Sequence, residues 1–369
     1  MFKKLFPLFF LSILIYACSS NEGEDDPIII ADDFDRGQML TNLVDNIIIP
    51  SYEGFANEMS SMTNAGLAFT NNPTLSSLQE FRSSWLNAYK KWQYVEMFNI
   101  GKAEELQYTF YMNVYPLTVE DVQNNIANGG YDLNSVNNQD AQGFPALDYL
   151  LYGVGANDTE ILEKYTTNSN ATGFRTYLTD VINQMDGLTQ QLVNDWTGSY
   201  RDTFVNNSGN SGTSSVNVLV NVYVNYYERM LRANKFGIPA GVFSGNPLAD
   251  KVEGLYSGEF SKDLALEALK AFEDFFNGKA YGGTSSAESF NTYLMYLERN
   301  DIVTSITSQL NLAESQVSGL LDNFNQQVIT DNSQMLMAYD ELQKVVIFIK
   351  NDMPNAFNVS ITFEDNDGD

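Results

Sequence analysis

Residues 78–95 read LQEFRSSWLNAYKKWQYV, and their apolar side chains recur at steps of three and four residues. That spacing gathers the apolar side chains on one face of an α-helix and does not fit the alternation of a strand. The sequence therefore predicts a long amphipathic helix whose tryptophans pack in a core rather than form a platform for a sugar or haem. The stripe consists of Leu78, Phe81, Trp85, Ala88, Tyr89, Trp92 and Val95.

The same spacing recurs along most of the chain and predicts an all-α protein. Residues 31–55 indicate a helix that is interrupted at Pro50, and residues 302–328 indicate one long helix that is followed by another over 335–349. Residues 216–227 also show alternation, but they continue without a turn signal into charged helical sequence, which favours a helix.

Small polar residues divide the chain into two parts. Residues 206–215 read NNSGNSGTSS and predict a flexible loop. Each side has room for about four helices. We therefore expect two helical-bundle domains, over residues 34–205 and 216–363, with a short acidic tail at 364–369.

The N-terminus predicts export and a lipid anchor. Residues 1–17 hold two lysines and an apolar run that is short for a membrane span, which is typical of a signal peptide. Cys18, the only cysteine, follows Ala17 and resembles the acylated cysteine of a bacterial lipobox. The alternative is an ordinary secretory peptide with an unpaired thiol.

Residues 18–33 are small and acidic and predict a flexible tether. The acidic patch behind Cys18 resembles the surface-export signals of Bacteroidetes lipoproteins. We therefore expect an anchor in the outer membrane, on the periplasmic side or at the cell surface.

Net charge limits the partners. The chain carries 20 basic and 47 acidic residues, a formal charge of −27. Nucleic acid is excluded as an expected partner, because phosphate binding needs a basic face. Cations, metal-laden ligands and basic peptides are electrostatically favoured, although a plain solvated surface is the commoner explanation of such a charge.

Residues 143–153 read GFPALDYLLYG and resemble the imelysin signature, Gly-x-His-x-x-Glu followed by Tyr-Leu-Leu. Pro145 stands at the histidine position and Asp148 at the glutamate position, after Gly143. No histidine occurs anywhere in the 369 residues. Other blocks resemble the same family in order along the chain: Trp85 to Gly101, Tyr115-Pro116-Leu117, and residues 227–232, 237–241 and 251–257.

The resemblance implies two all-α bundles with a pocket at their junction, in exported or lipid-anchored proteins. Relatives include proteins first described as peptidases, a component of ferrous-iron uptake and alginate-binding proteins. Iron-linked roles recur among them.

Two interpretations of the motif stay open. Proline suits the first turn of a helix, and Asp148 one turn further in suits its positive end, so the segment could be structural. Alternatively, Asp148 joins Glu96 and Tyr115 in a ligand or metal pocket, which oxygen donors would make suitable for calcium, magnesium, manganese or ferric iron. Glu96 could instead form a salt bridge with an arginine such as Arg82.

Glu228 and Arg232 are candidates for the other wall of the junction, although such a pair is also common on helix surfaces. A Ser-His-Asp triad is impossible without histidine. The first hypothesis is a non-catalytic binding or accessory lipoprotein in the acquisition of iron, another metal or haem, with an envelope transport protein as partner. The second is a peptidase with a carboxylate-only metal site, and the third a lipoprotein that docks a structural partner.

Overall fold

Long helices joined by short turns make up residues 32–362, the part of the chain that the computed structural model describes. The predicted signal peptide, Cys18, the tether up to residue 31 and the tail 364–369 lie outside these residues. Between residues 32 and 362 there is no β-strand, only a single β-bridge between Lys279 and Ser286. The all-α prediction is confirmed.

Ten α-helices of the described chain precede the loop around residue 210. They are α1 (Arg36–Leu43), α2 (Ile49–Asn71), α3 (Leu75–Trp92), α4 (Lys102–Glu105), α5 (Tyr108–Met112), α6 (Val119–Asn128), α7 (Gly143–Asp148), α8 (Asp158–Tyr165), α9 (Ala171–Asp195) and α10 (Arg201–Asn206). Between that loop and residue 362 there are seven more: α11 (Ser215–Asn225), α12 (Ile238–Ala240), α13 (Ser261–Phe276), α14 (Phe290–Tyr296), α15 (Asn300–Ser318), α16 (Phe324–Val346) and α17 (Met353–Phe357).

Several helices continue directly into wider π-helical turns. These π segments are Val44–Ile48, Tyr149–Gly153, Trp196–Tyr200, Tyr226–Gly237 and Ile347–Asp352. Short 3₁₀ segments cover Val136–Ala141 and Ala249–Lys251. None of the helices in residues 32–362 combines the length and the apolar character that a membrane crossing requires.

The core is continuous along the described chain. Helix α2 packs along α3 and α9, α15 pairs with α16, and α13 contacts both α3 and α15. Trp85 and Trp92 are fully buried in this core, as the stripe on α3 predicts. From Phe34 onward the described residues belong to one compact unit. The division into two bundles on either side of residues 206–215 stays a prediction.

The predicted interruption at Pro50 is wrong, because the helix runs through it. Pro50 is the second residue of α2, and the π segment Val44–Ile48 lies directly before that helix. A proline lacks the N–H that would bond one turn back and crowds the carbonyl there. The wider π turn accommodates this defect without ending the helix.

The predicted helix over residues 302–328 is also wrong in its extent. Helix α15 ends at Ser318, and α16 begins after Asn323, whose Oδ1 accepts a hydrogen bond from the N–H of Gln326 at 2.9 Å. This N-cap satisfies a backbone donor that a helix start leaves unpaired. Val328 therefore belongs to α16. Residues 216–227 are helical as predicted, through α11 and the start of the following π segment.

Gly143, the first residue of α7, provides a test of the close packing that holds this helix. Its φ is +73°, and a Cβ atom there would lie 2.2 Å from the carbonyl oxygen of Met112. We expect Gly143→Ala to lower the free energy of unfolding by roughly 2–5 kcal/mol, since backbone strain of about 1–2 kcal/mol adds to overpacking of about 1–3 kcal/mol. Urea unfolding followed by circular dichroism measures the loss.

Gly245→Ala is the matched control for this substitution. Gly245 has a φ of +72°, and a Cβ atom added there would have no neighbour within 4 Å. It should therefore lose only the strain contribution. Equal losses in the two variants would show that the contact between α7 and Met112 does not matter for stability.

Candidate functional site

Asp148 holds two distant parts of the chain together. It ends α7 and is 2% exposed. Its Oδ2 accepts a hydrogen bond from the backbone N–H of Tyr256, and its Oδ1 accepts one from the backbone N–H of Ser257, each at 2.8 Å. Both carboxylate oxygens are thus engaged by the turn at residues 253–257.

Burial raises the pKa of the Asp148 carboxyl to about 7. The two backbone hydrogen bonds, and the hydroxyl of Ser257, favour the charged form and lower the pKa in part. The desolvation of the carboxylate outweighs them. Asp148 therefore takes up a proton near neutral pH while it remains the acceptor that joins α7 to this turn.

Pro145 is the third residue of α7 and is buried. It lies in the first turn of the helix, where a missing N–H leaves no intrahelical bond unmade. The neighbouring Phe144 stacks on Tyr89 of α3, with ring centroids 4.3 Å apart and planes 3° apart. The helix start is therefore fixed by packing and by backbone geometry.

Glu96 lies in the turn after α3 and is 5% exposed. The predicted salt bridge to Arg82 is absent from this part of the structure, because the Arg82 guanidinium instead bonds to Asp158 at 2.8 Å and to the carbonyl oxygen of Leu151 at 2.7 Å. It also lies 4.3 Å over the ring of Tyr152. Glu96 Oε1 accepts instead from Asn113 Nδ2 at 3.1 Å.

A second buried carboxylate, Glu253, lies beside Glu96. Its Oε1 accepts from Asn113 Nδ2 at 2.9 Å and from Gln93 Nε2 at 3.2 Å. The ammonium of Lys235 forms a salt bridge with Glu253 Oε2 at 2.5 Å and donates to Gln93 Oε1 at 2.8 Å. These five residues, Gln93, Glu96, Asn113, Lys235 and Glu253, are called the polar cluster below.

Three polar atoms next to the cluster lack a hydrogen bond of ordinary geometry. They are Glu96 Oε2, Trp92 Nε1 and the hydroxyl of Tyr226. Desolvation raises the pKa of Glu96, and the negative charge of Glu253 raises it further. The ammonium of Lys235, the amide of Asn113 and the nearby indole of Trp92 lower the pKa of Glu96. Buried polar atoms without partners are rare and mark places where a bound water, proton or ligand belongs.

The hydroxyl groups of Tyr115 and Tyr89 are influenced by the buried carboxylates Glu96 and Glu253. Burial raises the pKa of Tyr115 well above its usual value, and Glu253 and Glu96 raise it further. The hydroxyl of Tyr89 donates to Asn113 Oδ1 at 2.6 Å, and its pKa is raised by burial and by Glu253, Tyr115, Asp148 and Glu96. The hydroxyl of Tyr89 is therefore bonded to the polar cluster through Asn113.

Glu228 and Arg232 bond to a different part of the structure. Both lie in the π segment Tyr226–Gly237, where Lys350 donates to Glu228 Oε1 at 3.1 Å. The Arg232 guanidinium donates to the hydroxyl of Tyr339 at 2.7 Å. These contacts reach α16 and the segment after it, and no bond to the polar cluster is present among them.

Sequence reasoning found Glu96 and Asp148 but missed Gln93, Asn113, Lys235 and Glu253. Glu253 lay within the family-like block 251–257, and Lys235 just ahead of the block 237–241. A lysine and a glutamate that are both almost fully buried are rare without a partner. Their position next to apolar residues was the available signal.

Asp148, Glu96 and Tyr115, the predicted ligand or metal pocket, do not form a set of metal ligands. Within residues 32–362, no three side chains of histidine, cysteine, aspartate or glutamate gather closely enough to hold an ion. Asp148 is saturated by backbone N–H groups, and Glu253 is paired with Lys235. Even a hard cation that keeps part of its water shell needs free carboxylate oxygens, and those near the motif are already bound.

Comparison with known proteins gives a consistent family. The sequence model of the imelysin family matches residues 48–346. No curated protein sequence matches the chain significantly. An imelysin-like protein from Psychrobacter arcticum 273-4 has a similar structure, with a TM-score of 0.69, 17% identity and coverage of 89% of this chain and 97% of that chain.

A putative iron-regulated protein A precursor from Parabacteroides distasonis ATCC 8503 is also similar, with a TM-score of 0.71, 16% identity and coverage of 87% of this chain and 95% of that chain. At these identities the two structures show the shared fold alone. Because the family match extends over most of the sequence, this protein belongs to the imelysin family.

Proposed function

We propose that this protein is a non-catalytic member of the imelysin family that acts at the cell envelope as a binding or accessory protein in iron acquisition. The family match and the iron-regulated relative support the iron link. The hydrogen bonding of Asp148 supports the absence of catalysis in this proposal, because both carboxylate oxygens already accept hydrogen bonds from backbone N–H groups.

Peptide hydrolysis needs an activated nucleophile or a metal-bound water. The chain has no histidine to serve as base or metal ligand, and its only cysteine is the predicted lipidation site. In the described residues the carboxylates nearest the motif are engaged by backbone N–H groups, by Asn113 or by Lys235. The motif segment then serves to join α7 to the turn at 253–257.

The iron that this protein handles is expected in a complexed form, such as haem or a chelate, rather than as a bare ion in the polar cluster. The cluster is unsuited to a bare ion, because Lys235 already occupies Glu253 and within residues 32–362 no three acidic side chains converge. A pocket at the junction of two bundles remains the proposed place for such a ligand.

The proposal includes a lipid anchor at Cys18 behind a signal peptide over residues 1–17. The relative from Parabacteroides is described as a precursor, which agrees with an exported protein. The membrane is then a partner through acyl chains, which contribute roughly 0.8 kcal/mol for each buried methylene. An envelope transport protein is the second proposed partner.

Binding and cleavage assays test this function directly. We expect the purified chain to bind haem or a ferric chelate in calorimetry and native mass spectrometry, and to leave a peptide library uncut with or without added zinc. Failure to bind iron in any form, tested with ferric, ferrous and haem ligands and with calcium as a comparison, would remove the iron-linked role. Chelator-sensitive cleavage that disappears in Asp148→Ala would instead establish a peptidase.

The raised pKa of Asp148 predicts a pH dependence of stability. A carboxyl whose pKa is higher in the folded state stabilises the fold when protonated, so its contribution falls as the pH rises from about 4 to about 7. We expect the free energy of unfolding of the wild type, measured relative to that of Asp148→Asn, to fall by about 2 kcal/mol between pH 5 and pH 7, at 1.36 kcal/mol per pKa unit.

Thermal unfolding of both proteins over this range measures the effect, and the contribution of Glu96 cancels in the difference. A difference that widens with rising pH would mean that the backbone N–H groups favour the ionised carboxylate more than burial opposes it.

A further inference from the structure

The ammonium group of Lys235 lies where a cation would have to lie to neutralise the polar cluster. Lys235 belongs to the π segment Tyr226–Gly237, and only 1% of its side chain is exposed. Its Nζ contacts Glu253 Oε2 at 2.5 Å and Gln93 Oε1 at 2.8 Å. Both contacts are made by oxygen atoms, the donors that hard cations prefer.

Charge balance explains why this position must be filled. Glu96 and Glu253 are both more than nine-tenths buried and share the amide of Asn113 as a donor. Two buried carboxylates that accept hydrogen bonds from the same amide nitrogen repel each other, and an uncompensated charge in the interior is strongly destabilising. Lys235 is the one basic side chain that the described structure places in contact with the cluster.

We propose that the polar cluster is a cation site whose cation is the tethered ammonium of Lys235, so that the wild-type cluster neither needs nor admits a metal ion. The inference concerns the cluster alone and does not depend on the iron-linked role.

The oxygen atoms around Lys235 determine what would replace it. Truncation of the lysine would leave Gln93 Oε1 and Glu253 Oε2 without the ammonium that they bind, in a cluster where Glu96 Oε2 also has no hydrogen bond. Oxygen donors of this kind, completed by water, suit calcium or manganese. Two carboxylates without a buried cation would also supply the charge that attracts a divalent ion.

The test is the Lys235→Ala variant of the full chain, compared with the wild type in Ca²⁺, Mn²⁺ and chelator. We expect the melting temperature of the wild type to stay unchanged on addition of either ion. The variant should melt at a lower temperature in chelator and gain about 5 °C at an ion concentration 100 times its Kd. Calorimetry should find one ion bound per chain in the variant.

Lys90→Ala is the matched control. Lys90 also forms a salt bridge between two helices, with Asp263 at 2.7 Å, but both side chains are partly exposed. Its loss should create no ion dependence, because water solvates the remaining carboxylate. Lys235→Arg, which keeps the charge, should likewise gain none.

Three results would overturn the inference. One is a folded Lys235→Ala variant that binds no more ion than the wild type. Another is a wild type that binds an ion as tightly as the Lys235→Ala variant does, if Glu253→Gln abolishes that binding. The third is a Lys235→Ala variant that stays unfolded even at saturating ion while the double variant Lys235→Ala, Glu253→Gln folds. That result would show that the cluster tolerates loss of charge but accepts no replacement cation.

Discussion

Burial of carboxylates is the constraint on which the interior of this protein depends. Asp148, Glu96 and Glu253 are each nearly inaccessible to solvent, and each needs a partner that offsets the loss of hydration. Backbone N–H groups serve Asp148, an amide serves Glu96, and an ammonium serves Glu253. Asp148 and Glu253 also accept hydrogen bonds from residues more than a hundred positions away, namely Tyr256 and Asn113, so contacts that satisfy charge also fix the arrangement of helices.

The helices were predictable because their signal is local. The stripe on α3 and the continuation of residues 216–227 follow from spacing within a few turns. Pro50 and the start of α16 were misjudged for the opposite reason. A π turn ahead of a proline and an N-cap at Asn323 are decided by backbone hydrogen bonds that apolar spacing does not record.

The candidate site was half predictable. Glu96 and Asp148 stood out in family-like blocks, but their partners could not be assigned, since Gln93 and Glu253 are 160 positions apart and Gln93 and Lys235 are 142 apart. Arg82 looked like a partner for Glu96 because it is close in sequence, yet the carbonyl of Leu151 and the carboxylate of Asp158 compete successfully for it. Proximity along a helix does not decide which charges pair across a core.

The bond from Asp148 to Ser257 closes a span of 109 positions, with a consequence for the order in which the chain folds. During synthesis the first half of the chain carries Glu96 together with its partner Asn113, but Asp148 precedes both of the backbone N–H groups from which it accepts hydrogen bonds. The contacts of α7 with the turn at residues 253–257 cannot form until the segment that carries Lys235 and Ser257 has been synthesised. The buried carboxylate of Asp148 therefore reaches its final environment only after residue 257 has been synthesised.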